Sequence, residues 1–280
     1  MDFRRLLVVT TLSTAVTALV GVLTATSGAG LTCQARWPLC DGAVFGLFPA
    51  NFMSFIEWSH RLVAMITGFL IIGAAIAAWR GGHSRRVRFA TLGALLLTPI
   101  QIVFGAFTVL VRELVFGYSI VVLTLHFTLA SLILGLLVAA TVWAYADAGT
   151  ASIEHIQRAG AGALLAFPVM VALTPRLFVA FGEVAQFVYY GLGFAVFAAL
   201  CVVALWSREL ALDARPVFGA GLVAAALVIA QLVITRRAFG SEGQLIILGI
   251  SFVAFALTLA AVRWVRTHGT TPTTRPSASD

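Results

Sequence analysis

Long apolar stretches, separated by short polar segments, dominate the chain. A helix that crosses a bilayer needs about 20 predominantly apolar residues. The pattern predicts eight such helices and therefore an all-α polytopic membrane protein, with helices over residues 6–27, 55–79, 89–111, 118–145, 159–181, 184–206, 216–235 and 244–265. The fifth differs from the others because Pro168 and Pro175 interrupt it.

The two ends of the chain need separate interpretation. Arg4 and Arg5 precede the first apolar run, as in a secretory signal peptide. The run is longer than the roughly 7–15 apolar residues of such a signal, so we interpret it as the first helix. The polar segment 267–280 contains two prolines and is predicted to be disordered.

Composition supports a membrane protein and excludes a soluble one. The chain is 61% hydrophobic and 10% charged, whereas soluble domains carry about 25% charged residues. Its net charge is +7, and all 18 basic residues are arginine. Most of these arginines lie in short loops, where they orient helices in a membrane. We therefore expect the lipid bilayer, and no nucleic acid, among the partners.

The arginines also predict the orientation of the helices. With the N-terminus inside, the inner segments contain twelve arginines and the outer loops five, as the positive-inside rule requires. We predict a multi-pass protein of the cell (plasma) membrane with cytoplasmic N- and C-termini. Its longest outer loop is then 28–54.

Two cysteines, Cys33 and Cys40, lie in that outer loop. An oxidising compartment favours a disulfide between them. The bond would close a loop of eight residues and stabilise the fold by roughly 2.5 kcal/mol through chain entropy. Two free thiols are the alternative, and the spacing fits no common zinc site. Cys201 lies within the sixth helix and is predicted to be a packing residue.

The order of the helices indicates a duplication of one four-helix unit. The residues that align at offsets of 125 or 126 are Glu57 with Glu183, His60 with Gln186, and His126 with Ser251. Matches in a common order at nearly equal offsets are typical of an internal repeat. We therefore divide the chain into an N-terminal half, 1–146, a C-terminal half, 147–266, and the tail, 267–280.

The ionisable side chains within the predicted helices concentrate in the first half. Such groups are costly in a bilayer and indicate function. Glu57 and His60 are three residues apart and share one helix face. His60 and His126 lie at similar depths in helices two and four. Two imidazoles on facing helices could bind haem iron from opposite sides; for each histidine, the alternative is a hydrogen bond to a neighbouring helix.

Two further polar residues accompany this group. Arg61 follows His60 near the outer interface, where its guanidinium suits a haem propionate or could instead reach lipid phosphates. Gln101, in helix three, is predicted to form a hydrogen bond between helices rather than to bind a metal.

At these positions the sequence resembles the haem A synthases, eight-helix membrane enzymes of cytochrome oxidase biogenesis. The run E-W-S-H-R at Glu57–Arg61 is similar to their E-x-x-H-R signature. The loop with Cys33 and Cys40 is similar to their paired-cysteine loop, and the run 101–109 and His126 are similar as well. The resemblance is detailed over the first half and architectural over the second.

The resemblance implies an oxidoreductase that converts the C8 methyl of haem O to a formyl group, which yields haem A. It implies that His60 and His126 hold the substrate haem and that Glu57 is catalytic. Haem O synthase, assembly factors of terminal oxidases and a second copy of the chain are the protein partners that it suggests.

The second half departs from the family. Its members usually have two further histidines there that ligate a haem b cofactor, but Gln186 and Ser251 occupy these positions and are poor iron ligands. Tyr189 and Tyr190 are expected to bond to a neighbouring helix. We therefore expect one haem site.

Two other functions remain open at this point. A haem-binding protein without catalysis, which carries electrons or delivers haem, needs His60 and His126 but not Glu57. A transporter is less consistent with the chain, because the polar residues lie toward the outer face rather than at mid-bilayer.

Overall fold

The computed structural model describes residues 2–33, 36, 39–40, 47–110, 119–175, 177–210, 215–235 and 240–268. Within these ranges the chain is all-α, as predicted, with one short 3-10 turn at Ala29–Leu31. The α-helices are α1 Phe3–Thr26, α2 Phe52–Arg80, α3 Arg85–Leu110, α4 Ser119–Asp147, α5 Ile153–Ala172, α6 Glu183–Glu209, α7 Arg215–Thr235 and α8 Gly240–His268.

Seven helices in the described ranges are long and apolar enough to cross a membrane, and α5 is the exception. α5 ends at Ala172, nine residues before the predicted end. Thr174 precedes Pro175, and a residue before proline avoids the helical region. α5 also begins earlier than predicted, because Ser152 caps it: the Ser152 side chain accepts a hydrogen bond from the His155 N–H at 3.2 Å.

The last helix extends into the segment predicted to be disordered. α8 continues to His268, so residues 267 and 268 are helical. Residues 269–280, the rest of that predicted tail, lie outside the described residues.

Each half of the chain forms a closed ring of four helices. In the first half α1 packs against α2 and α4, and α3 packs against the same two helices. In the second half α5 and α7 each pack against α6 and α8. The order of neighbours is the same in both halves. This order fits a duplication, which stays a prediction.

The largest apolar core joins the second ring to α1 and α4 of the first ring, and the first ring has smaller apolar clusters of its own. α6 lies against both α1 and α4. Phe127 of α4 packs against Tyr190 and Phe194 of α6, with ring centroids 5.4 and 6.1 Å apart. The Trp206 indole N–H donates a hydrogen bond to the Val142 carbonyl across the same contact at 2.8 Å. The boundary between the halves therefore follows the chain, and the largest apolar core crosses it.

The bundle has two chemically different ends. Arg86, at the start of α3, forms ion pairs with Asp147 at the end of α4 and Glu209 at the end of α6. These termini therefore lie together, at what we call the arginine end. The opposite end, where α2 and α6 begin and Cys33 and Cys40 lie, is the cysteine end. Which end faces the cytoplasm stays a prediction.

Hydroxyl side chains hold α1 in place in the first ring. The Thr67 hydroxyl lies 2.6 Å from that of Ser13 and 2.8 Å from that of Thr17. On another face of α1, the Thr11 and Thr141 hydroxyls are 2.9 Å apart. Hydrogen bonds of this kind join helices in membranes, where apolar contact alone gives little preference over lipid. They fix α1 beside the histidine of α2.

Candidate functional site

His60 lies about two turns into α2 and faces α1. Its imidazole hydrogen-bonds to the backbone of Thr17 and lies directly against Gly21. A Cβ atom added at Gly21 would come within 2.9 Å of His60 Cε1, which is closer than van der Waals contact. Glycine at this position is therefore what allows the imidazole to lie against α1.

His126, on α4, is placed against α3 in the same way. A Cβ atom at Gly105 would lie 3.2 Å from His126 Cε1. One turn earlier, Gln101 places its Nε2 at 3.4 Å from His126 Nε2. The predicted role of Gln101 in a contact between helices is thus confirmed. Each of the two imidazoles is backed by a glycine of the preceding helix.

The two histidines lie in one region of the first ring, near enough for a charge on one to affect the other. His60 Nδ1 is buried and has no hydrogen-bond partner in the described part of the chain. An imidazole with one nitrogen held and the other open fits a metal ligand. No cluster of three or more metal-binding side chains occurs among the described residues. Two imidazoles could hold an iron that a porphyrin already ligates.

Glu57 is the one charged residue in the buried core of the described chain, with 2% of its surface exposed. Its Oε2 accepts a hydrogen bond from the Cys33 backbone N–H at 2.6 Å and another from the Thr32 hydroxyl at 3.1 Å. Its Oε1 pairs with Arg61. A buried carboxylate is tolerated when it is paired and hydrogen-bonded, and Glu57 meets both conditions.

Arg61 lies one turn after Glu57 on the same face of α2 and keeps 20% of its side-chain surface exposed. Glu57 and Arg61 thus neutralise each other's charge. The predicted contact of Arg61 with a haem propionate stays a proposal, in which the propionate competes with Glu57 for the guanidinium.

A disulfide joins Cys33 and Cys40. Both residues are buried and pack against Trp58 of α2. Their sulfur atoms lie 3.4 and 3.8 Å from the carbonyl oxygen of Ser54. Cys33 and Cys40 are therefore held against the first two turns of α2, where the Cys33 N–H reaches Glu57.

Sequence reasoning missed three residues that position these groups. Asn51 accepts hydrogen bonds from two backbone N–H groups in the first turn of α2, and an asparagine directly before an apolar helix is a recognisable cap. Gly21 lies inside a predicted span, where small residues signal close helix contact. Thr32 carried no such signal, because its role depends on the loop folding back onto α2.

In the second half, the residues that correspond to the histidines bond to nearby backbone. Gln186 donates to the Phe181 carbonyl at 2.9 Å, and Ser251 donates to the Ile247 carbonyl at 2.9 Å. Both interactions are local, within five residues of the chain. Each side chain thus has a structural role in its own segment.

Tyr189 and Tyr190 fill the core of the second ring and are fully buried. The Tyr189 hydroxyl accepts a hydrogen bond from Gln231 at 2.7 Å and lies 3.1 Å from the Thr235 hydroxyl. The Tyr190 hydroxyl donates to the Leu232 carbonyl at 3.1 Å. The predicted bonding of both tyrosines to a neighbouring helix, α7, is confirmed.

Comparison with known families gives one match. Residues 4–178 match the COX15-CtaA family, which is described as cytochrome oxidase assembly protein. The matched region is more than half of the chain. It includes α1 to α5, the disulfide, Glu57 and both site histidines.

Two kinds of relative are similar to part of the chain. The heme A synthase of Shouchella clausii is 37% identical over 145 residues, 51% of this chain and 46% of that protein. The heme A synthase of Alkalihalophilus pseudofirmus is 36% identical over 141 residues, 50% and 46% of the two chains. The protoheme IX farnesyltransferase of Halobacterium salinarum is 45% identical over 89 residues, 32% and 20%. The alignments thus span less than half the length of these relatives. No solved structure matches the chain.

Proposed function

We propose that this chain, which belongs to the COX15-CtaA family of cytochrome oxidase assembly proteins, is a haem A synthase. Its reaction in this proposal is the oxidation of the C8 methyl of haem O. The observation that carries the proposal is a buried carboxylate, Glu57, one helical turn before His60. A protein that only holds haem needs the two imidazoles but no acid beside them. The relatives named heme A synthase support the same activity.

In this proposal His60 and His126 hold the iron of haem O between α2 and α4. Gly21 and Gly105 lie against the two imidazoles and limit where each ring can stand. The bound haem supplies the methyl group that is oxidised. The chain supplies the pocket, the orientation of the ring and the polar groups beside it.

Glu57 acts on protons and charge next to the reacting group. A carboxylate there takes up a proton released during oxidation or stabilises positive charge that develops nearby. Arg61 binds a haem propionate and gives up its pair with Glu57 when haem enters. Thr32 and the Cys33 N–H then keep the carboxylate in place, because they bond to the other oxygen.

Replacing Glu57 with glutamine tests this role. Glu57→Gln keeps the volume and part of the hydrogen bonding but removes the base. Cells that lack the native protein and express this variant should accumulate haem O, while the purified variant still binds haem; both are measured by extracting and separating the haems. Glu183→Gln is the matched control, because Glu183 is the exposed residue at the corresponding position of α6, and it should support normal haem A levels.

The outcomes separate an enzyme from a carrier. Normal haem A in the Glu57→Gln cells would remove Glu57 from the mechanism. If the unaltered protein gives no haem A from haem O when it is supplied with oxygen and a reducing system, the non-catalytic haem-binding function is the better supported one. That second candidate is favoured by one observation, the absence of histidine at Gln186 and Ser251.

The farnesyltransferase relative supports haem handling rather than farnesyl transfer by this chain. Its similarity is confined to 89 residues, 20% of that protein. A shared segment of this size in proteins named for different reactions on haem fits a common haem-holding unit. The proposal includes a protein partner. This partner is a terminal-oxidase assembly factor, a haem O synthase or a second copy of the chain.

A further inference from the structure

The arginine end carries positive charge that no described carboxylate neutralises. Arg86 is paired with Asp147 and Glu209. Arg80, Arg85 and Arg88, which flank the turn between α2 and α3, form no ion pair with any carboxylate in the described ranges. Three cations at the ends of two membrane-spanning helices therefore face the level of lipid headgroups.

Two aromatic rings hold two of these guanidinium groups in place. The Arg88 guanidinium lies 5.1 Å from the centre of the Trp79 ring, and that of Arg85 lies 5.4 Å from the centre of the Phe89 ring. The two rings themselves pack edge to face, 5.9 Å apart. Cation–π contacts restrict side chains that otherwise lose much entropy when they bind a ligand. Arg85 and Arg88 are thus pre-organised around one aromatic pair.

The same place has a cavity and unsatisfied polar atoms. A shallow cavity of about 520 Å³ is lined by Ser84, Arg85, Arg86 and Phe89. Beside it, Arg88 Nε and the Ser84 hydroxyl are buried without a hydrogen-bond partner in the described chain. A buried hydrogen-bond donor without an acceptor is unfavourable. A ligand with oxygen atoms would accept hydrogen bonds from both the Arg88 N–H and the Ser84 hydroxyl.

We propose that Ser84, Arg85 and Arg88, with Trp79 and Phe89, form a binding site for the headgroup of an anionic phospholipid. The phosphodiester oxygens accept hydrogen bonds from the guanidinium groups and the serine, and their charge balances the arginines. Trp79 and Phe89 are 45% and 51% exposed, which suits aromatic rings at the bilayer interface. The acyl chains lie along the apolar surfaces of α2 and α3. This site is separate from the proposed haem chemistry and does not depend on it.

Native mass spectrometry of the full chain, delipidated in detergent and titrated with phosphatidylglycerol, tests the site. We expect phosphatidylglycerol to bind and phosphatidylcholine, which has the same phosphodiester but no net charge, to bind much more weakly. Because each arginine that contacts the headgroup contributes modestly and roughly additively, Arg85→Ala with Arg88→Ala should weaken phosphatidylglycerol binding about thirtyfold. Inorganic phosphate at millimolar concentration should not displace the lipid.

Arg208→Ala is the matched control. Arg208 ends α6 at the same end of the bundle and lies 4.7 Å from the ring centre of Phe218, but it does not line the cavity. Its loss should leave lipid affinity unchanged. Arg85→Lys with Arg88→Lys keeps the charge and the membrane orientation, so it replaces the alanine pair if that variant does not fold, and should weaken binding severalfold because lysine lacks the planar fork.

Four results would overturn the proposal. Equal binding of both lipids would show that charge is not recognised. An unchanged affinity in the Arg85 and Arg88 variants, or an equal loss in Arg208→Ala, would show that the bound lipid lies elsewhere. Displacement by inorganic phosphate would show a phosphate site rather than a lipid site. Haem content and haem A formation are separate readouts, so each of these results leaves the proposed function as it stands.

Discussion

At the residue scale, Gly21 and Gly105 leave the space that the imidazoles of His60 and His126 occupy. Gly21→Ala would place a methyl group 2.9 Å from His60 Cε1, so the imidazole must move or α1 must shift. Overpacking of this kind costs about 1–3 kcal/mol, and we expect haem content after purification to fall about tenfold. Gly105→Ala, with a distance of 3.2 Å to His126, should have a smaller effect of the same kind.

Haem per polypeptide and the electron paramagnetic resonance spectrum of the residual haem measure the effect. The spectrum reports the orientation of the two imidazoles, which a general loss of folding would not alter in a defined way. Gly73→Ala is the control, because a Cβ at this position of α2 meets nothing within 4 Å. Unchanged haem and an unchanged spectrum in Gly21→Ala would mean that His60 is not a ligand.

Thr32 gives a second prediction at this scale. Thr32→Val keeps the shape of the side chain but removes the hydroxyl that donates to Glu57 at 3.1 Å. Loss of one hydrogen bond to a buried carboxylate costs about 1–3 kcal/mol. If Glu57 is catalytic, the rate of haem O oxidation should therefore fall about tenfold while haem binding changes little.

Thr26→Val provides the comparison, because the Thr26 hydroxyl donates to the Leu23 carbonyl of its own helix. A rate in Thr32→Val equal to that of the comparison variant would show that the position of Glu57 does not depend on Thr32. A parallel fall in haem content and rate would instead indicate a structural role for the hydroxyl.

Interactions between residues close in the sequence could be predicted at this site, and interactions that depend on the folded loop could not. Glu57, His60 and Arg61 could be grouped because helix periodicity alone puts residues three and four apart on one face. The pairing of His60 with His126 needed only the depth of each residue in its helix. The donors to Glu57 could not be predicted, because Thr32 and the Cys33 N–H reach it only after the loop folds onto α2.

At the scale of elements, the disulfide between Cys33 and Cys40 holds both residues against α2. Replacing Cys33 and Cys40 with serine removes a constraint worth roughly 2.5 kcal/mol for an eight-residue loop. The loop should then open more often, and trypsin should cleave after the exposed Arg36 roughly seventyfold faster, because cleavage follows the population of the open form. Mass spectrometry of reduced digests measures the rate.

Cys201→Ala is the control for this prediction, since Cys201 is buried in α6 and forms no disulfide. Its cleavage rate after Arg36 should equal that of the unaltered protein. An equal rate in the double serine variant would show that packing against Trp58 holds the loop without the covalent bond. Haem O oxidation should also fall in the double serine variant, because the Cys33 N–H loses its fixed position beside Glu57.

Helix boundaries show where sequence prediction fails at this scale. The long apolar runs specify seven helices, because bilayer thickness sets their length and their interior offers no competing pattern. α5 was displaced because local rules decide its ends: Ser152 caps the start and Pro175 excludes helix beyond Ala172. Hydropathy averaged over a window of residues does not detect either signal. The cap at Ser152 and the proline at 175, considered first, would have predicted both ends of α5.

For the whole molecule, two rings with the same order of neighbours pack against each other but differ in chemistry. The first ring has imidazoles at the positions that face α1 and α3, backed by glycines. The second ring has Tyr189 and Tyr190 in its centre, with their hydroxyls bonded to α7. The aligned positions of the sequence predict a repeat, and this stays a prediction. That the second centre is packed with side chains could not be predicted, because packing depends on how α6 and α7 approach each other.

Because side chains fill the interior of the second ring, we make a last prediction, which concerns the number of haems bound per chain. The unaltered protein should bind about one haem per chain. Gln186→His together with Ser251→His supplies imidazoles at the matching positions, but it should still give one haem, because the fully buried Tyr189 and Tyr190 fill space between α6 and α7. Adding Tyr189→Ala and Tyr190→Ala creates a cavity, and only this four-residue variant should take up a second haem. The ratio of haem to polypeptide, with a shift in the absorption spectrum on reduction, measures each step. A ratio near two in the two-histidine variant with both tyrosines present would show that ligands alone, and not space, separate the two rings.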